Sequence, residues 1–141
     1  MRLLGFNFIQ ISCERKKPLQ GELKINSNII IDKIEEEDLD IMKGKLVLKF
    51  QFTFSITYSQ SAKVEFKGFV LANVEKQEKS EILKTWKKKK IPEQFRIPLF
   101  NMILNRCNVK ALNLEEDLSL PPHIPLPNIV SGQNSKTNYT G

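Results

Sequence analysis

Histidine occurs once in this chain, tryptophan once and cysteine twice. That scarcity removes most of the chemistry that 141 residues can carry. A lone His123 leaves no His/Cys/Asp/Glu set at metal-ligand spacing, and its proline-rich setting reads as a rigid loop packing against its neighbours. Cys13 and Cys107 lie far apart and are expected as reduced thiols in a cytosolic core. The six glycines form no phosphate-cradling loop and no nucleophile elbow. Acidic residues come in consecutive runs, Glu35 to Asp38 and Glu115 to Asp117, whose side chains splay around the backbone instead of facing one another. The first run reads as a solvated loop and the second as a helix surface. No enzyme, cofactor or metal is expected. No apolar run approaches the roughly 18 residues that span a bilayer. The opening Met1-Arg2-Leu3-Leu4-Gly5-Phe6-Asn7-Phe8 has too short an apolar stretch for a signal peptide, so a cytoplasmic location is expected.

What is present is alternation. From Leu46 to Tyr58 the residues Leu46, Leu48, Phe50, Phe52, Phe54, Ile56 and Tyr58 alternate without a break with a mostly polar set. Only a β-strand has a side-chain period of two, so this predicts one long strand, about 40 Å at roughly 3.3 Å per residue. An aromatic strand of that length has to be covered by helices, by another subunit or by a bound chain.

Three further strands are predicted: Gly5 to Ser12; Leu23 to Ile31, with Leu23, Ile25, Ile29 and Ile31 on one face; and Ala62 to Glu75. In the last, Val64, Phe66, Val70 and Val74 share one side and Phe69 and Leu71 the other. Short connections between consecutive strands favour an antiparallel meander. The second half changes period. Ile82, Leu83 and Trp86 mark an amphipathic helix over Glu78 to Lys90, and Ile91-Pro92 opens a second through Cys107, with a kink or restart expected at Pro98. A further helical piece is predicted from Val109 to Leu120. Pro121 to Pro127 must be extended, close to polyproline II. The fold class is therefore α+β, a four-stranded antiparallel sheet with helices packed on one face. Residues 1–130 form one domain, and 131–141 read as a disordered tail.

The net charge of +6 raises the question of a nucleic-acid partner. Lys84, Lys87, Lys88 and Lys90 make the densest basic patch, flanked by Arg96. Lysines at a helix end also complement its dipole, and no recognition motif accompanies them, so only weak, non-specific nucleic-acid binding is expected.

The order of elements resembles the SecB export chaperones. The resemblance rests on Leu23-Lys24-Ile25-Asn26, on Val47 to Ser55, on Val64-Glu65-Phe66-Lys67-Gly68-Phe69-Val70-Leu71, on the Ile91-Pro92 helix opening and on Leu112-Asn113-Leu114. The ending Leu120-Pro121-Pro122-His123-Ile124-Pro125-Leu126-Pro127 is similar to that of short, SecB-like proteins of archaea. The resemblance implies a cytoplasmic homotetramer, a dimer of dimers, holding unfolded polypeptide in apolar grooves without ATP, with a link to protein translocation left open. The chain departs from the bacterial family in being basic and in ending on proline instead of a last helix. A receptor for many sequences needs broad apolar area and few exact hydrogen bonds. The residues singled out for peptide binding are Phe69, Leu71, Trp86, Phe6 and Phe8. Two other functions stay open: a nucleic-acid or ribosome-associated protein using the lysines, and an oligomeric structural protein.

Overall fold

Residues 1–131 are described by a computed structural model; the tail expected over 131–141 lies, beyond Ser131, outside them. In chain order come β1 (Arg2–Arg15), β2 (Ile25–Glu37), a short 3-10 turn (Asp40–Met42), β3 (Leu46–Tyr58), β4 (Ala62–Val74), α1 (Lys76–Trp86) and α2 (Glu93–Asp117). The strands form one antiparallel sheet in the order β1-β4-β3-β2, so the expected α+β class and strand number are those observed.

The core lies on one face. Along β3 the residues from Leu48 to Tyr58 at even positions are buried, and along β4 so are Ala62, Val64, Phe66, Val70, Ala72 and Val74. Directly opposed residues share a face, which brings Phe6 and Phe8 of β1 and Ile29, Ile31 and Ile34 of β2 onto the same side. The helices close this face. In α2 the buried residues Phe95, Leu99, Ile103, Cys107, Ala111 and Glu115 recur every fourth position, a ridge that packs down onto β4 and β1, while α1 presents Ile82 and lies against β3.

The simple meander is corrected. β2, β3 and β4 do follow one another, but β1 pairs with β4 on the far side. The connection from β1 to β2 wraps around the tip of the β3–β4 hairpin: the Lys16 and Lys17 amides donate to Ser61 O at 2.7 and 3.2 Å, and the Lys24 amide donates to Ser59 Oγ at 3.0 Å. These bonds carry the chain from one flank of the hairpin to the other.

Element ends are corrected too. The acidic residues Glu35, Glu36 and Glu37, read as a solvated loop, belong to β2 and pair with Lys49, Leu48 and Val47. Their charges are met locally: Glu35 accepts from Lys33 Nζ at 3.0 Å and Gln51 Nε2 at 3.1 Å, and Glu36 pairs with Lys79 of α1. The Lys33 hydrogen bond is the main cause holding the Glu35 carboxyl below its ordinary range. α1 begins earlier than expected because Glu75 and Glu78 form a capping box. α2 runs unbroken through Pro98. Proline removes one amide, the i-to-i−4 partner of the Gln94 carbonyl, and both residues are exposed, so the loss falls on the solvent side of the helix.

Candidate functional site

The two helices lie over β1, β4 and β3, and β2 projects beside them as a strand that, among the described residues, is paired on one side only. The overhang produces a groove of about 740 Å³ between the β2 edge, the turn that follows α1 and the start of α2. Its apolar lining is Ile29, Ile30 and Ile31 of β2, Trp86 at the end of α1, Ile91 in the connection and Phe100 of α2. Ile31 and Ile91 are buried floor, whereas Ile30 is 50% exposed. A smaller depression of about 240 Å³ shares Ile29 and Phe100 with it and runs on to Ser27, Asn28 and Leu104. Together they follow the free edge of β2. An edge strand offers unpaired backbone N–H and C=O groups, and β2 carries apolar side chains next to them.

Charged groups stand at the rim: Lys89 and Lys90 from the turn, Arg96 from α2 and Asp32 from β2. Lys89 has a positive φ of 58°, and the Lys88, Lys89 and Lys90 amides donate to Thr85 O, Trp86 O and Thr85 O at 3.0, 2.8 and 3.2 Å. The turn is thus fixed by its own backbone, which places Lys89 Nζ 4.6 Å from the centre of the Trp86 ring.

Polar chemistry gathers elsewhere, at the other end of α2. Tyr58 Oη donates to Glu115 Oε2 at 2.5 Å, His123 Nδ1 meets Glu115 Oε1, and His123 Nε2 donates to Asn108 Oδ1 at 2.8 Å. Glu115, expected on the helix surface, is 1% exposed, because it sits four residues beyond Ala111 on the buried ridge. Burial, with the Glu115 bond and charge behind it, pushes the Tyr58 phenol up, and burial first and Glu115 second do the same to the Cys13 thiol. Burial alone pushes Cys107 up to about 12. Among the described residues no buried side-chain nitrogen or oxygen is left without a partner. The cluster is a clasp: it ties the proline-rich segment, through His123, to α2 and β3.

The five residues singled out for peptide binding fall in three places. Trp86 lines the groove. Phe6 and Phe8 are half-buried on the helix-covered face toward the β1 edge, where Phe6 stacks on Phe52 at 5.3 Å and Phe8 meets Phe66 edge-on at 5.4 Å. Phe69 and Leu71 lie on the opposite, helix-free face, with Lys49 Nζ 4.5 Å from the Phe69 ring. Of the basic patch, Lys84 is on α1, Lys87 and Lys88 are in the exposed turn, and only Lys90 reaches the groove. The sequence reading passed over Ile30 and Phe100 as binding residues. Its available signal was the triple Ile29-Ile30-Ile31, since a strand apolar on consecutive positions offers apolar groups to both sides of its edge.

The molecule is an α+β protein whose open four-stranded sheet carries helices on one face and a groove along one edge. No family model matches the chain, and no curated protein matches it in sequence. Among solved structures it is similar to a SecB-like chaperone of Mycobacterium tuberculosis in complex with a peptide from an antitoxin, with a TM-score of 0.49 and 12% identity over 92% of this chain and 89% of that one.

Proposed function

We propose that the protein is an ATP-independent holdase that keeps unfolded polypeptide from aggregating by binding extended segments along the β2 edge. The observation that carries this is the coincidence of an unpaired strand edge with an apolar groove of about 740 Å³. An unfolded chain exposes unpaired backbone groups and apolar side chains together. Adding a strand to β2 satisfies the first, and Ile31, Trp86, Ile91 and Phe100 receive the second. Main-chain bonding is blind to sequence, so such a site serves many clients.

The reading is of a binding protein in the cytoplasm, built as a dimer or tetramer and related to the short archaeal SecB-like proteins through the Leu120 to Pro127 ending. Delivery to a translocation motor is a further part of the proposal. Light scattering of an aggregating client tests the core of it. Stoichiometric protein suppresses the signal with or without nucleotide, and Trp86→Ala and Phe100→Ala weaken suppression more than they lower the melting temperature. Undiminished aggregation at tenfold excess contradicts the reading.

A further inference from the structure

We infer that the β2 groove selects apolar segments that carry Asp or Glu beside their aliphatic and aromatic side chains, an inference that rests on the polypeptide-binding reading above. The rim sets Lys89, Lys90 and Arg96 against Asp32 alone, so a bound chain meets a positive excess. The cations are held in place. Lys89 and Lys90 stand on a turn closed by backbone hydrogen bonds, and Arg96 is in the opening turns of α2, bonded through its amide to Pro92 O at 2.9 Å.

A strand laid against β2 projects its side chains alternately to its two sides. The set on the helix side enters the isoleucine, tryptophan and phenylalanine lining, and its members beyond that apolar floor meet Lys89, Lys90 and Arg96, which stand on the same side. Carboxylates there gain charge-assisted hydrogen bonds from ammonium and guanidinium groups, whereas Lys or Arg at those positions meets like charge beside partly desolvated cations. Specificity then comes from repulsion as much as attraction.

Other occupants fit less well. A nucleic-acid strand would satisfy the cations, but it has no backbone amides to pair with the β2 edge and no aliphatic side chains for the isoleucine floor. The chain's own residues 132–141 contain Lys136 and no Asp or Glu, so they lack the complementary side chains.

Three dye-labelled peptides with one apolar pattern and Glu, Gln or Lys at the same two or three positions flanking it test the inference by fluorescence anisotropy. The expected order of affinity is Glu above Gln above Lys, spanning about tenfold, as two or three partly exposed ion pairs give. Raising salt compresses the span. In a Lys90→Gln, Arg96→Gln double variant with an unchanged melting temperature, the ratio of Glu-peptide to Gln-peptide affinity falls to about one. Equal affinity of the three peptides overturns the charge preference and leaves the holdase reading standing. Binding of none overturns both. A single-stranded oligonucleotide that displaces the Glu peptide at lower concentration than the Gln peptide does makes the cations a phosphate site and overturns the inference.

Discussion

Burying a carboxylate costs several kcal/mol unless its charge and lone pairs are met, and Glu115 meets both through Tyr58 and His123. Removing one partner is therefore worse than the bond count suggests. His123→Ala strands a buried carboxylate and is expected to lower unfolding stability by about 3–5 kcal/mol, against about 1–3 kcal/mol for Tyr58→Phe. Urea midpoints at constant m-value measure both, and a His123→Ala variant within 1 kcal/mol of the parent would refute the clasp. A second expectation concerns alkaline pH. The folded Cys107 thiol is raised from 9.0 to about 12 by burial, so the folded state keeps a proton that the unfolded chain releases. Its contribution is complete below pH 9.0 and is lost as pH rises toward about 12, in the same direction as the raised Tyr58 phenol. The urea midpoint should fall across that range, and less steeply in Cys107→Ala; a flat profile would contradict the assignment. Glu115 was legible in outline, since it continues the every-fourth-residue ridge of Phe95, Leu99, Ile103, Cys107 and Ala111. Its place in a run of three consecutive acidic residues suggested a surface, and only the distant Tyr58 and His123 make burial tolerable.

Elements followed from period where period was strong. β3 was placed to the residue because a run of strict alternation admits one reading, and its buried face is the even-numbered one. β2 extends into acidic residues because Lys33 of the same strand and Lys79 of α1 pair with their charges and Gln51 of β3 donates to Glu35, and the contacts to β3 and α1 are invisible in a one-dimensional reading. The pairing of β1 with β4 was likewise hidden, for it depends on backbone bonds between the connection and the hairpin tip. Gly68 shows why β4 needs a gap on its core face. A Cβ there would stand 2.3 Å from Asn7 O and 2.9 Å from Phe52 Cζ, so the missing side chain lets β1 close on β4 and the Phe52 ring lie over the strand. Gly68→Ala is expected to destabilise by about 1–3 kcal/mol or more through overpacking. Thermal melting checks it, and a gain in stability would mean that β1 is not held as described.

At the scale of the whole molecule the sheet is unevenly protected. One face is closed by α1 and α2; the other carries Phe69, Leu71 and the 50%-exposed Ile30 among polar neighbours, and each outer strand is paired on one side only. Apolar side chains beside free edges call for a partner, and association of like chains is the expected cover. Sedimentation at low micromolar concentration should give a dimer or tetramer, and a monodisperse monomer would contradict that expectation.

Trp86 is the only tryptophan in the chain and lines the groove, so its emission reports on that place and no other. Titrating the protein with a tryptophan-free unfolded polypeptide, while a dye on the polypeptide follows binding independently, tests the central claim. The account predicts a saturable blue shift of Trp86 emission that tracks the dye signal and is absent with the same polypeptide folded. Binding seen by the dye while Trp86 emission stays unchanged would place the clients elsewhere and contradict the account.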